Sequence, residues 1–129
     1  MTDIEKNEMF QQGFANRKAV MGQAHVEKSW AATDDFNRPM QQLVTQYCWG
    51  EVWGNDDLPF KTRSLLNIAM LTCLNRPHEL KLHVHGALRN GASHAEIRAV
   101  LMQAAIYGGV PAALDSFRVA SEAIKTLEA

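Results

Sequence analysis

The chain has 129 residues, the size of one domain, and its 47% hydrophobic content belongs to a folded globular protein rather than a disordered chain or a coiled coil. Thirteen Lys and Arg against fourteen Asp and Glu leave a net charge of -1, which offers no field to hold a nucleic acid or an anionic membrane. No run reaches the ~18 uncharged apolar residues of a membrane helix, and the acidic opening Met1-Thr2-Asp3-Ile4-Glu5 is unlike a leader, so the expectation is a soluble, cytoplasmic protein of one domain, residues 1–129.

The apolar period is helical from end to end. Thr2-x-x-Glu5 reads as a capping box that opens a first helix through Phe10, Phe14 and Val20 to about Gly22. Residues 25–35 are looser. A second helix starts near Asn37 with Pro39 in its first turn, and Met40, Leu43, Val44, Tyr47 and Cys48 form a stripe that predicts a core-facing surface. Residues 49–57, rich in Gly and acidic side chains and carrying Trp49 and Trp53, read as a loop.

Pro59 begins a third helix in which Leu65, Leu66, Ile68, Ala69, Met70, Leu71 and Leu74 leave almost no polar face, as in a helix at the centre of a fold or in an oligomer interface. Pro77 starts a fourth that Gly91 ends, Ser93-x-x-Glu96 caps a fifth, and Gly108-Gly109 separates it from a sixth that Pro111 opens. The expected fold is all-α, a single-domain bundle of about six helices.

Chemistry has few places to sit. Glu79 and His83 are four residues apart on the fourth helix and so share a face, at the border between the core stripe (Leu80, Val84, Ala87, Leu88) and the wet stripe (Lys81, His85, Arg89). A carboxylate beside an imidazole raises its basicity, which suits proton transfer, although the same spacing also describes an ordinary surface pair. His83 and His85 point in different directions and no H-E-x-x-H pattern exists, so no metal site is expected.

Arg63 near the start of the third helix can clamp a carboxylate, or can equally be a surface arginine. Trp49, Trp53 and Tyr107 suit a pocket wall but also plain core packing. Gly108-Gly109 permits close backbone approach, and His25 lies outside any strongly periodic run. Cys48 and Cys73 form no C-x-x-C pair, and both read as buried small apolar residues.

Taken in order, Gly22-Gln23-Ala24-His25-Val26, Tyr47-Cys48-Trp49-Gly50-Glu51-Val52-Trp53, Thr62-Arg63-Ser64-Leu65-Leu66, Glu79-Leu80-Lys81-Leu82-His83, Ala87-Leu88-Arg89-Asn90-Gly91 and Tyr107-Gly108-Gly109-Val110-Pro111-Ala112 resemble the carboxymuconolactone decarboxylase family. The wider superfamily resembles alkylhydroperoxidase D, whose C-x-x-C-x-x-x-H motif, aligned on His83, puts its cysteines at Arg76 and Glu79 and its acidic residue at Ser64. A thiol peroxidase relay is therefore not expected.

The resemblance implies a small dicarboxylate lactone substrate, gamma-carboxymuconolactone, decarboxylated without a metal or organic cofactor in protocatechuate breakdown, and a homo-oligomer, a ring-like hexamer. On the matched positions Arg63 would hold a carboxylate, and His83, tuned by Glu79, would protonate carbon. His25 and the Gly108 and Gly109 amides would polarise the lactone carbonyl; Trp49, Trp53 and Tyr107 would exclude water. The alternatives are a relative acting on another carboxylated lactone or ring, and a helical module that has lost catalysis.

Overall fold

A computed structural model describes residues 1–128. Among the described residues there are eight α-helices, one π-helical stretch and no strand. The all-α expectation holds, but the count of about six does not. The extra helices arise in the first half, where Asn7 interrupts the expected first helix and where residues 25–35, expected to be loose, begin inside a helix. By packing, the chain divides into two units, Met1–Leu58 and the residues from Pro59 onward.

In the first unit α1 spans Asp3–Lys6, α2 Glu8–Met21, α3 Gln23–Ala31 and α4 Arg38–Leu43, and α4 runs on into a π-helical stretch, Val44–Val52. Thr2 and Glu5 do pair, with the Glu5 amide donating to Thr2 Oγ1 at 3.3 Å, but they cap only α1. Asn7 then caps α2 by accepting from the Phe10 amide at 3.1 Å. The buried Glu5 carboxylate draws donors from Thr2 (2.7 Å), Gln42 (3.0 Å) and Arg38 (3.4 Å), which ties α1 to α4 and holds its pKa below the usual carboxylate value.

The segment read as a loop is helical over much of its length. Trp49 and Val52 belong to the π stretch, where the Trp53 amide reaches five residues back to Cys48 O at 2.9 Å. Gly54 turns its amide to Gly50 O instead, and Asn16 of α2 donates to Trp49 O at 2.9 Å. Helix α2 lies directly on this stretch because Gly13 has no side chain. A Cβ there would enter Thr45 O and come within 2.8 Å of Gly50 N.

Met40 and Leu43 of α4 and Tyr47 of the π stretch, expected to face the core, are exposed, while Thr45, Trp49 and Gly50 are buried. The interior holds Phe10 against Phe14 and Trp30, and Trp49 against Trp53 at 4.4 Å between ring centres.

In the second unit α5 spans Phe60–Cys73, α6 Pro77–Arg89, α7 His94–Gly108 and α8 Val110–Glu128. These follow the sequence closely. Pro77 sits in the first turn of α6, and Gly91 takes the left-handed φ of 90° just after it. Ser93 and Glu96 form a reciprocal capping box on α7 (3.0 and 2.9 Å), and Gly109 at φ 111° ends that helix.

The core collects Ile68, Leu80, Val84, Ala87, Ile97, Leu101, Ala120 and Ala123. Each large aliphatic side chain buried here contributes about 1.5–3 kcal/mol. Helix α5, apolar nearly all round, buries Ile68 but leaves Leu66 and Met70 exposed, as is Leu74 just after it. No helix among the described residues is long and apolar enough to cross a membrane.

Candidate active site

Two side-chain contacts set the register between α5 and α6. Asn90 Nδ2 donates to the fully buried Ser64 Oγ at 3.0 Å, and Asn67 Nδ2 lies 3.4 Å from His83 Nδ1. Residue 64 thus lies against 90 and residue 67 against 83, which makes the helices antiparallel neighbours. Arg63 is one turn before Asn67 on α5, and Glu79 is one turn before His83 on α6. Residues four apart stack on one face. Arg63, Asn67, His83 and Glu79 therefore form a row along one side of this helix pair.

Arg63 is half-buried, with its Nε fully so, and His83 is half-buried, while Glu79 is exposed. Burial pushes the His83 imidazole from 6.5 down to about 4, against an opposing pull from the Glu79 carboxylate. The expected balance is corrected here. Glu79 does raise His83, but desolvation outweighs it, and the ring is neutral at neutral pH. Asn67, which sequence reasoning passed over, supplies its partner. The available signal was its place four residues after Arg63, the one amide among Leu65, Leu66, Ile68, Ala69 and Met70.

The other residues singled out in this unit lie elsewhere. Tyr107 is 84% exposed and lines a groove of about 320 Å³ between α5 and α7 with Leu65, Leu66, Ala69, Cys73 and Ala104. Leu66 and Asn67 are adjacent in sequence and so about 100° apart round the helix, which puts this apolar groove on a different face from the row. The Gly109 amide donates to Ala105 O at 3.1 Å and ends α7, and Gly108 lies within that helix. Their expected use as amide donors is therefore replaced by shape: Gly108 leaves room for Cys73 Sγ.

His85, placed on the wet stripe by periodicity, is half-buried and donates from Nε2 to Ala123 O at 2.8 Å. Burial lowers its pKa as well. Cys73 is exposed and Cys48 half-buried, so neither is the buried residue expected. No group of three or more His, Cys, Asp or Glu among the described residues is arranged to hold a metal ion.

In the first unit, His25 is exposed on α3. Trp49 and Trp53 are 4% and 5% exposed and packed on each other. Their large rings fill that unit's interior, which is the commoner use of tryptophan.

The sequence profile of the Carboxymuconolactone decarboxylase family matches residues 38–122. A 4-carboxymuconolactone decarboxylase of Acinetobacter baylyi is 35% identical over 124 residues, covering 96% of this chain and 92% of the relative. The nitrosuccinic acid decarboxylase of Metarhizium robertsii is 35% identical over 119 residues, 92% of this chain and 83% of the relative. A 4-carboxymuconolactone decarboxylase sequence of Pseudomonas putida is 29% identical over 48 residues, 37% of this chain and 100% of the relative. A profile match over well over half of the chain, with relatives aligned along nearly all of it, makes the chain a member of the carboxymuconolactone decarboxylase family.

Proposed function

We propose that this carboxy-lyase converts gamma-carboxymuconolactone to beta-ketoadipate enol-lactone in protocatechuate breakdown, without a metal or organic cofactor. The observation that carries the proposal is the Asn67–His83 contact, which aligns a half-buried imidazole with the fixed positive charge of Arg63 on one side of α5 and α6. The substrate has two carboxylates and an unsaturated lactone. Breaking the bond to one carboxylate releases CO2 and leaves the electron pair spread into the lactone carbonyl. A proton must then be delivered to carbon.

Arg63 would hold a carboxylate through paired hydrogen bonds, and its charge does not titrate away. His83 would deliver the proton. The ring is neutral, so the proton it delivers is the one it already carries on a ring nitrogen. That nitrogen would pass its proton to carbon as the electron pair returns there, and water would return a proton to the ring after each turnover. The chemistry proposed here uses none of His25, Trp49 and Trp53, which lie in the first unit. Nor does it use Tyr107, Gly108 and Gly109, which lie at the end of α7 by the apolar groove on another face of α5.

A second reading has a specific basis. The Metarhizium robertsii relative, as similar as the Acinetobacter baylyi one, is named for nitrosuccinic acid, in which a nitro group beside the departing carboxylate can accept the electron pair. The test is lactone loss followed by ultraviolet absorbance, with nitrosuccinate assayed in parallel. Turnover of the lactone is expected, with His83→Gln slower by ~10²-fold or more. Turnover of nitrosuccinate alone would replace the substrate, and an unimpaired His83→Gln would remove the residue from its role. The assembly we propose is a ring-like homohexamer.

A further inference from the structure

Resting on the reading above, we propose that Asn67 is a positioning residue for the reaction: its side-chain amide donates to Nδ1 of His83, selects the imidazole tautomer with its proton on Nε2, and turns that nitrogen to the substrate. The argument begins with donor chemistry. The Asn67 atom that faces the ring, at 3.4 Å, is Nδ2, which can only donate. Nδ1 of a neutral imidazole facing it must then present its lone pair, and the proton resides on Nε2.

The placement on α5 adds a second reason. Asn67 is half-buried among apolar neighbours, with Ile68 beside it fully buried, and a desolvated amide is costly unless it bonds. One turn away on the same face is Arg63. A single helix thus presents the group proposed to hold the carboxylate and the group that orients the imidazole. Because both sit on α5, the spacing between the bound carboxylate and Nε2 is set by helix geometry rather than by a loop. A purely structural amide, by contrast, would join α5 to α6 with no consequence for the ring's tautomer.

The experiment uses the full chain labelled with 15N, with long-range proton–nitrogen correlation at neutral pH and His83 assigned by its loss in His83→Gln. The expected pattern is a pyridine-like Nδ1 and a protonated, pyrrole-like Nε2. In Asn67→Asp the carboxylate can only accept, so Nδ1 is expected to become protonated. In Asn67→Leu, which keeps the side chain's bulk, the two tautomers are expected to mix. Both variants should lower kcat by ~10-fold or more while KM moves far less.

A protonated Nδ1 in the wild-type protein, or wild-type nitrogen shifts and kcat in both variants, overturns the proposal. A wild-type protein with the expected nitrogens that turns over neither lactone nor nitrosuccinate overturns the substrate reading and upholds the tautomer assignment.

Discussion

His83 spends its resting life as a neutral base held inside a helix pair, and this has a thermodynamic consequence separate from catalysis. In the unfolded chain the ring gains its proton near the ordinary value of 6.5, whereas in the folded protein it does so only near about 4. Between those values the unfolded state binds more protons. Stability is therefore full above the upper value, declines as pH falls through the window, and levels off below the lower one. The expected loss from this one residue is about 3 kcal/mol. Urea unfolding of wild type and His83→Gln across the window should show the variant losing less stability on acidification, because the difference isolates this ring from other groups such as His85. Equal losses in the two proteins would mean that the folded ring titrates normally.

Among the helices, the contact of α2 with the π stretch is the tightest, and it depends on a missing side chain. A methyl group on Gly13 would press on Thr45 O and Gly50 N, both backbone atoms that cannot turn aside. Gly13→Ala is expected to cost about 2–4 kcal/mol, in contrast to the small gain that Gly to Ala usually brings inside a helix, and chemical denaturation would measure it. Gly91→Ala meets nothing within 4 Å, so its cost would come from φ alone. Helix ends at Pro77, Gly91, Ser93 and Gly109 were readable because a cap is a local event, decided by one or two residues and the backbone beside them. The π stretch was not. Its residues look like a 3.6-period stripe followed by a Gly-rich loop, and only the approach of α2, with Asn16 taking the Trp49 carbonyl, accounts for the wider turn.

Over the whole chain, many large apolar side chains stand in water. In the second unit Leu74, Met102, Ile106, Tyr107 and Val110 are each more than half exposed, and in the first Met40, Leu43 and Tyr47 are too. Such surface supports the proposed homohexamer, since symmetric copies can cover one another's patches. Sedimentation or light scattering should give six times the chain mass. Ile106→Glu, placing a charge at a position 78% exposed in the chain, should lower that mass while keeping the helical circular dichroism. A wild-type protein that runs as a monomer at micromolar concentration would end the proposal.

The amino-acid sequence by itself determined the helical class, the caps of the second half and, through ordered short segments, the family. It also placed Glu79 and His83 on one face, because i, i+4 spacing is a property of a single helix. What only the tertiary structure decided is which force governs that imidazole. Desolvation and the Asn67 amide come from packing α5 against α6, and neither can be read from the spacing within one element. The same holds for His85, whose carbonyl partner comes from α8, and for Trp49 and Trp53, which the chain itself buries. Periodicity states which side of a helix is apolar; only the neighbouring helices state how much water is left there.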